Sequence, residues 1–341
     1  MDIEFHYWIT GIIAYFAGFT RDEAKIIAYS SQFVDENDVS LTVKDRSSDK
    51  EYTNFISQTM NILKPKQELM RIYPIFHFVP GDPTAHTARR RDGKMHLFNT
   101  TPNNEFANEL LQDAFKSEDK FRLYRIGIAT HAFVDTWAHQ NFTGWHESFN
   151  VLGANLIPNI GHADALHHPD WFGHRWIDHQ LLDGEVNNNH RFLSAAEALF
   201  RQYYDYLLSE RRYDKKEHPS WDDLQEKLIE PIGPVWGGDE NYGQKERVTK
   251  YKKLVPWLSG FDEMDWFNEA IETEIRGARD PHGGILSHFT FFKDNHYWRK
   301  DIDPKTTHWR NFQTSVKQHE KFAPGVLSPL FEQIGINLSR E

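Results

Sequence analysis

His131-Ala-Phe-Val-Asp135-Thr-Trp-Ala-His139 spaces three metal-ligating side chains four residues apart, inside the longest helical pattern of the chain, Glu118 to Phe142. On an α-helix, residues four apart are rotated by only ~40° and separated by a rise of ~6 Å, so all three lie along one face. That rise is long for a single ion but suits adjacent ions that share the carboxylate of Asp135. Ala129, Phe133 and Trp137 around the stripe imply a buried helix whose polar face is partly desolvated. A half-buried His/Asp stripe needs compensating charge, which bound cations provide. Taken alone, the triplet also fits a polar helix face with ordinary His–Asp hydrogen bonds.

Other segments add candidates in a definite order. His6 stands near the start of the first helical stretch, with Asp2 one turn earlier; Asp35 follows the next helix; His77 interrupts the apolar run Ile75-Phe76-His77-Phe78-Val79. His162-Ala-Asp164-Ala-Leu-His167-His168-Pro-Asp170 closes the series. Each has an ordinary reading, His77 as a satisfied core histidine, Asp35 as a helix-end residue, and the 162–170 run as a solvated loop. Their succession is the informative feature.

That succession (His, Asp after a helix, His-Phe, His-x3-Asp-x3-His, then His) resembles the zinc-dependent phospholipase C / S1–P1 nuclease superfamily. The stretches Met1-Asp-Ile-Glu-Phe-His-Tyr7 and Tyr29-Ser-Ser-Gln-Phe-Val-Asp35 make the chain similar to a bacterial branch related to it, over about residues 1–180. The resemblance implies a mainly helical fold with long loops, holding three clustered zinc ions that hydrolyse phosphoric esters. It implies that Asp35, His77, His131 and Asp135 hold one ion, and that Asp135 bridges to a second, held by His6 and an N-terminal group. His139 and His162 then hold the third. Secreted members of the superfamily use the amine of a processed N-terminus, whereas here no signal peptide is visible and Asp2 is an alternative ligand. Members also carry an acidic residue four positions after the last His, where this chain has Leu166, so Asp164 or His167 would complete that site. The spacing from Asp135 to His139 is shorter than in the secreted phospholipases.

Ligands of this kind, without thiolates, suit two or three Zn ions, with Mn or Fe as further options; the imidazole content favours zinc. Clustered ions acidify water and clamp phosphoryl oxygens. Asp35 would also act as proton acceptor for the attacking water, which makes Asp35 and Asp135 the catalytic candidates. Expected substrates are phosphoesters: a nucleotide, an oligonucleotide or a phospholipid headgroup. Arg89-Arg90-Arg91 would meet the anion, although basic runs are usually solvated turns. The His- and Trp-rich tail (His282, His288, Phe291, Phe292, His296, Trp298, His308, Trp309) would wall a cleft or, more simply, bury area. His146, His174 and His179 are further ligand or supporting candidates. The alternative reading is a non-catalytic metal-binding module for interaction or sensing.

Composition narrows the field. The 341 residues contain 19 His and no Cys, which excludes disulfides, thiolate zinc sites, Fe–S clusters and a cysteine nucleophile. A formal charge of -11 argues against a non-specific duplex-DNA coat, while leaving room for a local groove that takes single strands. An acidic N-terminus and the lack of any apolar run approaching ~20 residues predict a protein with no transmembrane segment, located in the cytoplasm. Helical periodicity dominates: Phe5–Ala17, a capping box at Thr20-Arg-Asp-Glu23 opening a helix to about Val34, Asn104–Phe115, Phe192–Glu210, Ser220–Leu228 and Asp262–Ala278. Strand signals are confined to Val39–Val43, Ile72–Val79 and Ser287–Phe292. The expected organisation is a metal-binding helical core over residues 1–230, with a helical, aromatic extension over 231–341 packed on the same domain.

Overall fold

The helix that carries the central triplet, α6 (Asp119–Ala138), is buried at every residue from Tyr124 onward. Its apolar residues are not confined to one stripe, so it has to be surrounded. In the computed structural model, which describes residues 1–59, 61, 66–152, 160–213, 218–274 and 294–335, α2 (Arg21–Glu36), α5 (Glu105–Phe115), α7 (Asn188–Ser209) and α11 (His308–Glu332) pack around it. The fold is mainly α. Among the described residues, no helix is long and apolar enough to cross a membrane.

Local chemistry sets the surrounding elements. A π-helical stretch, Glu4–Ile9, continues into α1 (Thr10–Ala17) and stops at Gly18, whose φ of 114° ends the helix. The expected capping box forms at Thr20: its hydroxyl accepts from Glu23 N at 3.3 Å, and the Glu23 carboxylate accepts from Thr20 N at 2.7 Å. Asn104 caps α5 by accepting from Ala107 N at 2.9 Å. Gly127 lets α2 approach α6 closely. A Cβ there would fall 2.4 Å from Ser30 Cβ and 2.6 Å from the Ile27 carbonyl. This approach brings the α2 backbone within reach of His131.

Several expectations are corrected. The apolar run Ile72–Val79 is not a strand: Tyr73–Phe76 forms a short helix, α4, after α3 (Lys66–Met70), and His77 caps its end. Pro74 in the first turn explains the choice, because it lacks the donor a ladder requires yet is pre-set for a helix start. The expected helix over Asp262–Ala278 is cut short, with α10 spanning Asp265–Ala270 and a strand, β5, following over Ile271–Glu274. β5 is an edge of a four-stranded sheet of order β2-β1-β6-β5, in which β1 (Thr42–Lys44) pairs antiparallel with β2 (Glu51–Thr53) and parallel with β6 (Asn295–Trp298). The candidate strand Ser287–Phe292 lies outside the described residues, as do His282 and His288. A small hairpin, β3 (Arg175–Ile177) with β4 (Glu185–Asn187), follows the last His-rich loop.

Beyond α8 (Trp221–Ile232), the sequence reading missed two helices, α9 (Gln244–Leu254) and α11. α9 buries only Arg247 and Tyr251, so it has no apolar stripe to recognise. α11 contains Pro324 and Pro329, which break the sequence signal although tertiary packing holds the helix. Tyr251, Trp266, Trp309 and Phe312 belong to the same hydrophobic core as α1, α2 and α6. Trp309 is core, and His308 stacks on Trp266 at 5.1 Å. Trp309 thus serves packing, while His308 and Trp266 also line a cavity of about 370 Å³ with Asp22 and Lys25.

His319 of α11 gives a testable acid lability. It is fully buried, with Nε2 3.1 Å from the Ile75 carbonyl. Burial, reinforced by the charge of Arg125, pushes its pKa down to about 3. The unfolded chain takes up this proton near pH ~6.5 and the folded chain does not. Between those values stability therefore falls as pH drops, by up to ~1.4 kcal/mol per unit. His319→Gln keeps a donor for Ile75 and removes the titration. Urea unfolding at about pH 7 and about pH 5 should show a smaller acid loss in this variant than in the parent; parallel losses would remove His319 as the cause.

Candidate metal centre

Four histidines in this region are aimed by backbone carbonyls. His77 Nε2 donates to Ser57 O at 2.9 Å, His131 Nδ1 to Ser31 O at 2.8 Å, His139 Nδ1 to His77 O at 2.7 Å, and His162 Nδ1 to Leu166 O at 2.8 Å. A carbonyl can only accept, so each far ring nitrogen carries the proton and the other presents a lone pair when the ring is neutral. Outer hydrogen bonds of this type fix tautomer and ring orientation in metal-ligating histidines.

The free nitrogens converge on carboxylates. Asp135 Oδ2 lies 3.1 Å from His131 Nε2 and 3.5 Å from His77 Nδ1, while Oδ1 lies 3.1 Å from His6 Nε2 and 2.5 Å from the Met1 amino nitrogen. Asp35 Oδ1 lies 3.6 Å from His131 Nε2 and 3.7 Å from His77 Nδ1. Asp170 Oδ1 is 3.8 Å from His139 Nε2, and its Oδ2 is 3.5 Å from His162 Nε2. Three groups result, each with ligand atoms within 4.8 Å of one another: His6/Asp35/His131, His77/His131/Asp135 and His139/His162/Asp170.

The donor set fits transition-metal ions on a specific observation. His77 Nδ1 and His131 Nε2 face each other at 3.0 Å although both rings already donate from their far nitrogens. Two lone pairs at that distance repel unless a proton or a metal cation shares the gap. Both nitrogens of the fully buried His6, Asp135 Oδ2 and Asp170 Oδ1 also lack a well-formed hydrogen bond, a costly arrangement without a further partner.

Electrostatics favours ligand-competent states at most positions. Burial opposes ionisation of Asp135 and Asp170, but the surrounding imidazoles and the amino group outweigh it and hold both carboxyls well below their usual range. Burial, with His131 and the amino group beside it, lowers His6 to about 4. Burial likewise holds His139 well below its ordinary value. His131 is drawn upward: burial lowers it, yet Asp135 and Asp35 prevail, so positive charge belongs in its gap with His77. The Met1 amine is held up to about 10, the carboxylates outweighing its burial.

Elements impose this geometry. α6 supplies His131 and Asp135 and ends so that His139 is its C-cap. α2 presents Asp35 near its end, α4 delivers His77, and the first helical stretch delivers His6, whose ring stacks on His131 at 3.8 Å. Phe78 stacks on His139 at 4.1 Å and, with Phe142 and Ala165, forms a small apolar cluster beside the third group. Asp35 and His162, with side chains 28% and 16% exposed, form the accessible edge, whereas His6 and His131 are sealed.

The remaining candidates lie elsewhere. Asp2 accepts from Glu4 N at 3.0 Å and from Asn241 and Gln244, outside the three groups. Asp164 accepts from Leu152 N at 2.9 Å. His167 is largely exposed and reaches Asp170 only at 3.9 Å. His174 pairs with His168 at 2.8 Å, and His146 bridges to Ile160 through its backbone. Within the triple arginine, Arg90 is buried, donates to Phe149 O and covers the Phe149 ring, and Arg91 donates to Leu181 O. Arg89 and Arg90 line a cavity of about 330 Å³ with Lys94, Met95 and Leu182; no residue of the three groups does.

Asp170 is the ligand candidate that sequence reasoning missed as a site residue. It stands eight positions after His162 instead of four, and Leu166, at φ 52°, helps turn the loop that returns it to the centre. Its presence at the end of the His162–Asp170 run was the available signal. No curated protein and no solved structure matches the chain. Residues 1–325 match the model of a family of unknown function, DUF6765, and the chain belongs to that family.

Proposed function

We propose that this protein is a metal-dependent phosphoric ester hydrolase built on a di- or trinuclear His/Asp centre, with zinc the favoured ion and Mn or Fe as alternatives. The observation that carries this reading is the meeting of ligand groups around one carboxylate, Asp135, because neighbouring cations are suited to clamp a phosphoryl group. The ligand order also resembles the phospholipase C / S1–P1 nuclease superfamily, and on this reading the helices around α6 are a version of that fold. Bound ions would supply Lewis acidity toward phosphoryl oxygens and acidify water. His77, His131, Asp135 and Asp35 would hold one ion, His6 and Asp135 a second, and His139, His162 and Asp170 the third.

The chain's own residues then divide the work. Asp35, at the accessible edge, takes the proton of the attacking water. Asp135 keeps its negative charge between the cationic positions. The Phe78, Phe142 and Ala165 cluster keeps water from the inner side of His139. Arg89, which lines that cavity, is available to an anionic part of the substrate away from the reacting bond, whereas Lys94 pairs with Asp92 at 3.4 Å. The exposed edge favours catalysis over a sealed binding module.

Hydrolysis of bis(p-nitrophenyl) phosphate, an oligonucleotide, a cyclic nucleotide and a short-chain phospholipid by metal-loaded protein tests the proposal. Cleavage of at least one should require metal, and Asp35→Asn should lower kcat about 100-fold or more, as for loss of a general base. Fully loaded protein that cleaves none of them would transfer the centre to a binding role.

A further inference from the structure

We propose that Arg247, on α9, is the positioning residue that holds the His6 and Asp170 arms of the metal centre in register; this inference rests on the metal reading above. Arg247 is 4% exposed, and its hydrogen bonds go to Glu4, Tyr242 and Asn241 rather than to a ligand side chain of the centre. Its Nε and Nη2 each donate to the fully buried carboxylate of Glu4 at 2.8 Å, in the two-pronged geometry that only a guanidinium provides. Glu4 lies two residues before His6, in the same helical stretch. Nη1 also donates to Tyr242 O at 2.6 Å, and Nη2 to Asn241 Oδ1 at 2.7 Å. Asn241 and Gln244 in turn each donate to Asp2 at 3.1 Å. Residues 241–247 thus grip the backbone stretch that delivers His6.

The same guanidinium lies against the other arm. Gly173, three residues after Asp170, has φ 69°, and a Cβ there would fall 2.9 Å from Arg247 Nη1. Glycine lets the loop lie directly on the guanidinium. Gly173 is tied down on both sides, donating to Asn189 Oδ1 at 2.8 Å and accepting from Trp236 N at 2.6 Å. Arg247 therefore stands between two segments that are remote in sequence and each supply a ligand. His77, His131 and Asp135 are carried instead by α4 and α6, and no hydrogen bond of Arg247 reaches them. This gives α9, a polar helix with two buried residues, a purpose in the centre.

The test is metal stoichiometry and zinc affinity of the full-length parent, Arg247→Met, Arg247→Lys and a core control, Leu228→Ala in α8. Arg247→Met should weaken zinc by about 10-fold at the positions that need His6 or Asp170, the lower end of the loss seen when a partner bonded directly to a ligand is removed, while the His77/His131/Asp135 position stays filled. Arg247→Lys restores the charge without the fork and should recover only part of the affinity. It also serves if Arg247→Met does not fold. Leu228→Ala should lower stability and leave zinc binding unchanged. Undiminished affinity in both Arg247 variants, or an equal loss in Leu228→Ala, would overturn the inference. A parent protein that binds no metal would overturn the centre itself and this inference with it.

Discussion

If the proposed metal-dependent hydrolase reading holds, Asp135→Asn loses at least one metal equivalent and nearly all phosphoesterase activity while α6 stays helical. The substitution preserves size, and an amide oxygen could still accept the hydrogen bond that Asp135 accepts from the Met1 amine, while its NH2 could donate to the lone pair of a neutral His131 Nε2. A metal-free cluster would keep those bonds and lose some stability, because the buried Met1 ammonium loses its countercharge, but it would show no change in metal content. Between two cations the outcome reverses, because two dications repel about four times as strongly as two unit charges at the same separation, and the amide supplies no countercharge. His139→Ala should instead vacate mainly the position shared with His162 and Asp170. Elemental analysis and a phosphodiesterase assay on both variants beside the parent check these outcomes; full metal and full activity in Asp135→Asn would refute a shared carboxylate.

Chelation should lower the thermal midpoint by a large amount. The ligands come from residue 6 to residue 170, so the unfolded chain cannot reproduce the site and binding energy becomes folding energy. With free metal about 1,000-fold above its Kd, one site contributes about 4 kcal/mol. At about 2.1 cal/mol/K of unfolding entropy per residue, a 341-residue chain shifts by about 1.4 °C per kcal/mol, which is about 6 °C for a single ion. Removing the ions also leaves the His77–His131 gap and the buried Asp170 with only protons and the amine as countercharge. Scanning calorimetry of metal-loaded and EDTA-treated protein, with recovery on adding zinc back, is the measurement. An unchanged midpoint would mean that no ion contributes to the folded state.

Much of this centre is legible in the sequence because helices repeat regularly. The four-residue spacing of His131, Asp135 and His139 fixes a common face whatever else the chain does, and the capping box at Thr20 fixes where the Asp35 helix begins. What could not be read is set by chain reversals. Asp170 is remote from the four-residue rule and is brought back by an irregular loop, and Asp164, at a more inviting spacing, is taken by Leu152 N. Arg90 and Arg91 look like anion binders in a basic run, but loop carbonyls claim them. Composition hides Arg247 as well, since a lone arginine in a lysine-rich helix gives no sign of a buried carboxylate 243 residues away. Short strands such as β5 and β6 escape for a related reason: they are held by their neighbours' edges, with little periodicity of their own.

Anomalous scattering from crystals of protein purified without chelator is the most direct test of the metal centre. Two or three transition-metal peaks are expected: one between His77, His131 and Asp135, one beside His139, His162 and Asp170, and a further one near His6. A well-ordered structure with no anomalous peak at any of these positions, even after soaking in zinc, would contradict it.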